Sequence, residues 1–200
     1  AYYSNVQTCG SPWSCPVCAA KIRQRRAEEI RIIVQSHLSN GGAAYLGLYT
    51  IPHDQGDDLD SLIGAVKDGW QAIRGTGAWQ TDRDRAGIVG YVRTLEVTHG
   101  PNGWHPHYHV LLLTDRVLST EERRRLASRL HGRWADSVEE SGFRRPERGL
   151  CRIEPVRDGD AVSDYLGDVV TVKDGRARSA SLEMTRHDLK EGRTDGARTD

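Results

Sequence analysis

The stretch IVGYVRTLEVTHGPNGWHPHYHVLLL, residues 88–113, predicts a β-hairpin at the centre of the fold. Residues 88–98 and 104–113 are both rich in β-branched and aromatic side chains, and Gly100-Pro101-Asn102-Gly103 between them is a typical turn sequence. Two strands joined by so short a turn run antiparallel. We therefore expect the chain to be built around an antiparallel sheet.

The segments outside this hairpin alternate between helical and strand-like patterns. Helices are predicted over residues 16–38 and 58–74, and a third begins at the capping box formed by Ser119 and Glu122. Strands are predicted over residues 43–51 and 150–156, a loop over residues 75–87, and a short helix from Gly159. The predicted fold class is α+β, an antiparallel sheet with helices packed on one face and the other face free to carry an active site.

The charge of the chain is balanced, with 28 basic and 28 acidic residues among 200. A nucleic-acid-binding protein often has a basic excess, so any such surface must be local. Basic residues do cluster around residues 21–26, 123–133 and 144–152. No apolar run approaches the roughly 20 residues that cross a bilayer, and the N-terminus lacks a signal-peptide pattern, so we expect a cytoplasmic protein with no membrane partner.

Alternating histidines in the second hairpin strand are the strongest chemical signal. His107 and His109 project from the same face of a strand, about 7 Å apart along the chain, with Tyr108 and Val110 on the other face. On the partner strand, Glu96 is expected on the face of the histidines. Two imidazoles and one carboxylate leave coordination positions open and suit Mn²⁺ or Mg²⁺ acting on a phosphate. Glu96 could alternatively be a solvent-exposed strand residue.

The four cysteines form a second constellation. Cys15 and Cys18 have the two-residue spacing of a zinc knuckle, Cys9 adds a third thiolate, and Cys151 is a candidate for the fourth ligand. The alternative is a set of reduced structural cysteines. We expect residues 1–40 to form a cysteine knuckle with the N-terminal helix, residues 41–173 the main domain, and residues 174–200 a polar tail.

Tyr165 is the candidate nucleophile among seven tyrosines. It lies on the short helix after the last predicted strand, beside the apolar stripe of Val162, Leu166 and Val169. Tyr108 points away from the histidines, and Tyr45, Tyr49 and Tyr91 lie on strands. The alternative interpretation of Tyr165 is a core residue of that helix.

Several motifs together resemble one known family. Residues 103–112 (GWHPHYHVLL) with residues 93–100 (RTLEVTHG) resemble the HUH endonucleases, and most closely the rolling-circle replication initiator (Rep) proteins of actinobacterial plasmids. Residues 8–22 (TCGSPWSCPVCAAKI) resemble the N-terminal signature of those proteins, residues 49–54 (YTIPHD) their first strand, and residues 164–167 (DYLG) their tyrosine helix.

The resemblance implies a fold, an activity and partners. The fold would be an HUH/RRM-like palm, with residues 41–173 as the nuclease domain. His107 and His109 would hold a divalent metal ion, with Glu96 as the matching third ligand. Tyr165 would nick single-stranded DNA at a plasmid origin, forming a 5′-phosphotyrosine link and freeing a 3′-hydroxyl that primes synthesis. A host helicase and polymerase would then act as partners.

Two other functions fit parts of the same sequence. Residues 105–112 also match the pattern of the histidine-triad nucleotide hydrolases, in which the middle histidine attacks a phosphate without metal. That interpretation leaves Glu96, the cysteines and Tyr165 unexplained. The third hypothesis is a non-catalytic DNA-binding module whose surface is the zinc knuckle and the arginine-rich helices.

Overall fold

The computed structural model describes Gly10 and residues 16–156. In chain order, these residues form α1 (Pro16–Ser39), β1 (Ala43–Thr50), α2 (Leu59–Arg74), α3 (Gly77–Ala86), β2 (Ile88–Gly100), β3 (Gly103–Thr114), α4 (Thr120–Glu140), a 3₁₀ turn η1 (Arg148–Leu150) and β4 (Cys151–Pro155). The predicted α+β class is confirmed. The short helix predicted from Gly159 lies outside the described residues.

The four strands form one antiparallel sheet in the order β2-β3-β1-β4. The predicted hairpin occupies one side of the sheet, with Gly100 opposite Gly103 at the turn. Gly103 has a φ of +87°, which a residue with a side chain rarely adopts. A Cβ there would also lie 2.9 Å from the Cα of Gln55, so the turn packs closely against the loop that follows β1.

One face of the sheet carries the main hydrophobic core. Tyr49 of β1 and Val110 of β3 pack there against Leu62 and Trp70 of α2 and Trp134 of α4. The helix predicted over residues 58–74 and the capping box of α4 are both present. The indole Nε1 of Trp134 donates to the carbonyl of Thr50 at 3.0 Å, which ties α4 to the last residue of β1.

The opposite face is covered at one end by α1. Ile30 and Val34 of this helix form a second, smaller cluster with Ala44, Leu111 and Leu113. His37 contacts the carbonyl oxygen of Thr114 through its Nε2 at 2.7 Å, which anchors the C-terminal end of α1 at the end of β3. The face opposite the main core therefore has a covered apolar end and a polar end.

The expectation of a loop over residues 75–87 was wrong, because α3 occupies Gly77–Ala86. This helix lacks the apolar stripe by which helices are found in a sequence. Tertiary contacts hold it instead: Trp79 is buried in the main core, and the buried carboxylate of Asp82 binds both Arg129 and Arg133 of α4. Within the described ranges, no helix combines the length and apolar character needed to cross a membrane.

Candidate active site

The hairpin register places Glu96, His107 and His109 on the polar end of the sheet face opposite the main core. Glu96 of β2 lies directly across from His107 of β3, and Thr94 lies across from His109. The face can be assigned because Leu111, two residues beyond His109, contacts α1, whereas Tyr108 and Val110 enter the main core. Glu96, His107 and His109 are 1%, 6% and 5% exposed.

Three ligand atoms converge at this site. The Nε2 atoms of His107 and His109 lie 3.1 and 2.9 Å from the same oxygen, Oε2 of Glu96, and 3.0 Å from each other. Within the part of the chain that the structure describes, these residues form the one group of three or more potential metal ligands. The three atoms therefore form a nearly equilateral triangle with no intervening side chain.

This triangle fits the coordination requirements of a divalent ion. Two ligands at right angles, each about 2.1 Å from an octahedral ion, are separated by about 3.0 Å. The observed separations of 2.9–3.1 Å match that edge, so Glu96, His107 and His109 can occupy one triangular face of an octahedron. The remaining coordination positions would be open to water or substrate, as in a catalytic site.

The backbone orients the imidazole of His107. Its Nδ1 lies 3.2 Å from the carbonyl oxygen of His105, which can only accept a hydrogen bond. Nδ1 is therefore placed to donate to this carbonyl, which leaves Nε2 as the ring atom that faces Glu96 and His109. A hydrogen bond from the second ring nitrogen is the usual way in which proteins orient a histidine ligand.

A second histidine pair flanks the site. His105 Nδ1 lies 2.7 Å from His53 Nε2, and His53 Nδ1 lies 2.9 Å from the carbonyl oxygen of Asn102. The structure brings Glu96, rather than His105 or His53, to His107 and His109. The sequence did not indicate the contact between His105 and His53. It arises because Thr50 pairs with His107, which places the residues after β1 beside the hairpin.

The four tyrosines on strands all lie on the opposite face. Tyr45, Tyr49 and Tyr108 are buried in the main core, and Tyr91 packs against it. Burial raises the pKa of Tyr49 and of Tyr108 above the usual value for a phenol. None of these four hydroxyls can therefore approach Glu96, His107 and His109, while Tyr165 lies outside the described residues.

The cysteines are described only in part. Cys9 and Cys15 lie outside the described residues, and Cys18 is buried on α1. Cys151 is buried in the main core, on the face opposite to the one that α1 contacts, and burial raises the pKa of its thiol to about 12. Burial of this kind disfavours the charged thiolate.

Most arginines of the second and third basic clusters are neutralised by carboxylates. Arg129 and Arg133 bind Asp82, and Arg145 binds both Asp136 and Glu139. Arg123, Arg124, Arg125 and Arg144 also form ion pairs. The outer surface of α4 is therefore less basic than the sequence suggests.

Comparisons with known proteins agree with the motifs. A model of the Rep_1 family, described as "Replication protein", matches residues 2–128. A "Protein rep" of Streptomyces lividans is 31% identical over 233 aligned residues, which cover 92% of this chain and 50% of that protein. A "Protein rep" of Bacillus amyloliquefaciens is 27% identical over 105 residues, covering 51% of this chain and 30% of that protein.

A "Neomycin resistance protein" of Streptomyces cyanogenus is 37% identical over 131 residues, covering 52% of this chain and 30% of that protein. The chain thus spans about half the length, or less, of the curated relatives it matches. No solved structure matches it. The family match covers more than half of the chain and the resemblance to Rep proteins is confirmed, so the chain belongs to the Rep_1 family of replication proteins.

Proposed function

We propose that this chain is a metal-dependent endonuclease and strand transferase that nicks single-stranded DNA at a plasmid origin and so initiates rolling-circle replication. The observation that carries the proposal is the triangle of ligand atoms from Glu96, His107 and His109, with sides of 2.9–3.1 Å. Its membership of a replication-protein family supplies the biological context.

We assign the three residues of the triangle to Mn²⁺ or Mg²⁺. One carboxylate and two imidazoles offer mixed oxygen and nitrogen ligands, which suits these ions acting on a phosphate. A bound ion would polarise the scissile phosphate and offset the negative charge that develops on its oxygens. Glu96 supplies the anionic ligand, and the carbonyl of His105 holds the His107 ring in the orientation that presents its Nε2 atom.

Tyr165 is our proposed nucleophile. Its phenolic oxygen would form a bond to phosphorus while the bond from phosphorus to the 3′-oxygen breaks. The products would be a 5′-phosphotyrosine link and a 3′-hydroxyl, which takes up a proton and primes synthesis. A second transfer would later rejoin the strand. Support comes from the four strand tyrosines, which lie on the wrong face for this attack.

The geometry argues against both alternative functions. In a histidine-triad hydrolase the attacking imidazole must be available to the phosphate, whereas His107 and His109 here share one oxygen of a buried carboxylate. In a non-catalytic module the arginine-rich helices would bind DNA, but Arg129, Arg133 and Arg145 are held by carboxylates.

The remaining parts of the proposal concern organisation and partners. We assign residues 41–173 to the nuclease domain, residues 1–40 to a knuckle that binds structural zinc, and residues 174–200 to a polar tail. The substrate is origin DNA in the cytoplasm, where plasmids replicate, and a host helicase and polymerase extend the nicked strand. A longer protein that contains this domain can carry further activities, since the relatives extend beyond the match.

The proposal is tested by covalent capture. The protein is incubated with Mn²⁺ and labelled single-stranded oligonucleotides that tile the origin of the replicon encoding it, and adducts are separated on a denaturing gel. The wild type should form one adduct and one shortened product. Tyr165→Phe deletes only the attacking oxygen, so it should bind the same oligonucleotide and form neither product.

Tyr91→Phe is the matched control. It removes a hydroxyl that binds Arg74 on the opposite face and should leave the adduct yield unchanged. An adduct in Tyr165→Phe would show that another tyrosine attacks. Cleavage by the wild type without an adduct would show that water attacks instead, and would refute the proposed mechanism.

A further inference from the structure

Arg152 lies on the same sheet face as the metal-binding triangle. On β1, Leu48 pairs with His109 on one side and with Arg152 on the other. Residues directly opposite each other in a sheet project from the same face, so Thr94, His109, Leu48 and Arg152 form one row across the four strands. Two strand spacings, about 10 Å, separate the backbones of His109 and Arg152.

Among the described strand residues, Arg152 is the permanently charged cation that projects from this face. Among the described strand residues that project from it, the others are Ala44, Leu46, Leu48, Thr50, Val92, Thr94, Glu96, Thr98, His105, His107, His109, Leu111, Leu113 and Glu154. A substrate phosphate that crosses the strands toward β4 would therefore meet the guanidinium of Arg152.

The guanidinium of Arg152 has a neutral partner. Its Nε donates to the carbonyl of Gly149 at 2.9 Å, and this uncharged acceptor does not offset the positive charge. By contrast, Arg145 is bound by two carboxylates and Arg123 by Glu154. Arg152 is exposed, so its guanidinium is accessible at the surface.

The surroundings define which part of the face a DNA strand can use. Beyond the row of His109, the apolar end is covered by α1 through Leu111, and Leu46 packs at its margin. Glu154 follows Arg152 on the same face toward this covered end, where it is paired with Arg123. A DNA strand would therefore cross the sheet at its polar end, between the metal-binding triangle and Arg152.

We propose that Arg152 binds a phosphate of the single-stranded DNA that flanks the scissile phosphate. This inference rests on the proposed function, because it takes the metal-binding triangle as the place of cleavage. The planar guanidinium can bind two phosphate oxygens at once while its Nε keeps the bond to Gly149. The contact would position the DNA and would be independent of base sequence.

Salt-dependent binding tests the proposal. Affinity for a fluorescein-labelled oligothymidylate is measured by anisotropy in EDTA over a series of salt concentrations. Arg152→Ala should weaken binding roughly three- to fivefold at low salt. Loss of one phosphate contact should also reduce the slope of log affinity against log salt by about 0.7. Arg152→Lys should restore the slope, because lysine keeps the charge.

Arg145→Ala is the matched control and should change neither quantity, since Arg145 is already bound by Asp136 and Glu139. An unchanged slope in Arg152→Ala would overturn the inference. Equal losses of affinity in Arg152→Ala and Arg152→Lys would also overturn it. They would show that Arg152 acts by supporting the η1 turn through its bond to Gly149. Covalent capture by the wild type tests the proposed function separately, and a wild type that binds no oligonucleotide would refute both.

Discussion

Replacing Glu96 with glutamine should remove most of the stabilisation that Mn²⁺ gives to this protein. Glu96 supplies the one anionic ligand of the triangle and is 1% exposed, so water cannot easily take its place. Glutamine has almost the same shape, which keeps the metal-free fold comparable. The measurement is the midpoint of thermal unfolding with and without Mn²⁺, and it needs no DNA substrate.

The expected magnitude follows from binding linkage. At a Mn²⁺ concentration about 100 times its dissociation constant, a single site stabilises the folded state by about 2.7 kcal/mol. For a chain of this size, that corresponds to a rise in midpoint of about 5–11 °C. A loss of about 100-fold in affinity, the upper range for loss of an outer-shell partner and so a modest figure for loss of a ligand, leaves about 0.4 kcal/mol and a rise of about 1 °C.

Glu154→Gln is the control for this experiment. Glu154 is a strand glutamate on the same face, but it lies on β4 and pairs with Arg123 rather than with a histidine. Its variant should keep the full Mn²⁺ response. A full response in Glu96→Gln, or the absence of any response in the wild type, would refute the assignment of the triangle as a metal site.

Three further predictions concern the metal, the knuckle and the core. EDTA should abolish nicking and leave most of the single-stranded DNA affinity, since phosphate contacts dominate binding; full nicking in EDTA would contradict the metal mechanism. Cys15→Ser should release zinc, measured by a chromogenic chelator, and lower the unfolding midpoint; an unchanged midpoint with no zinc released would mean that the cysteines form no zinc site. Because burial raises the pKa of the Cys151 thiol from 9.0 to about 12, the unfolded state loses this proton first as pH rises. The free energy of unfolding, measured by denaturant titration, should therefore fall between pH 9 and 12, and less steeply in Cys151→Ala than in the wild type. An equal fall with pH in the two proteins would contradict the raised pKa.

The hairpin and its site face could be predicted because both depend on local sequence. The turn at residues 100–103 fixes the register of β2 against β3, and alternation along each strand then determines which side chains share a face. Those two facts suffice to place Glu96 opposite His107. The sequence also predicts the capping box of α4, since both of its residues lie within one helical turn.

The parts that could not be predicted depend on contacts between distant residues. The helix α3 is held by Trp79 in the core and by Asp82, whose partners Arg129 and Arg133 lie about 50 positions further along the chain. The sheet face that α1 contacts could not be predicted either. Ile32 and Ile33 are exposed beside the buried Ile30 and Val34, so the apolar residues do not mark one clear face of the helix. Pairing of arginines with carboxylates is equally invisible before the helices are placed.

The main hydrophobic core and the candidate metal ligands lie on opposite faces of the sheet. The main core lies on one face and includes the strand tyrosines, whereas Glu96, His107 and His109 lie on the other and contact one another. Substitution of a ligand therefore removes no side chain from the main core. Glu96→Gln and Arg152→Lys should consequently change metal or DNA binding without large losses in the metal-free unfolding midpoint. This separation makes both assignments testable, because a loss of binding in a folded variant can be attributed to the substituted side chain.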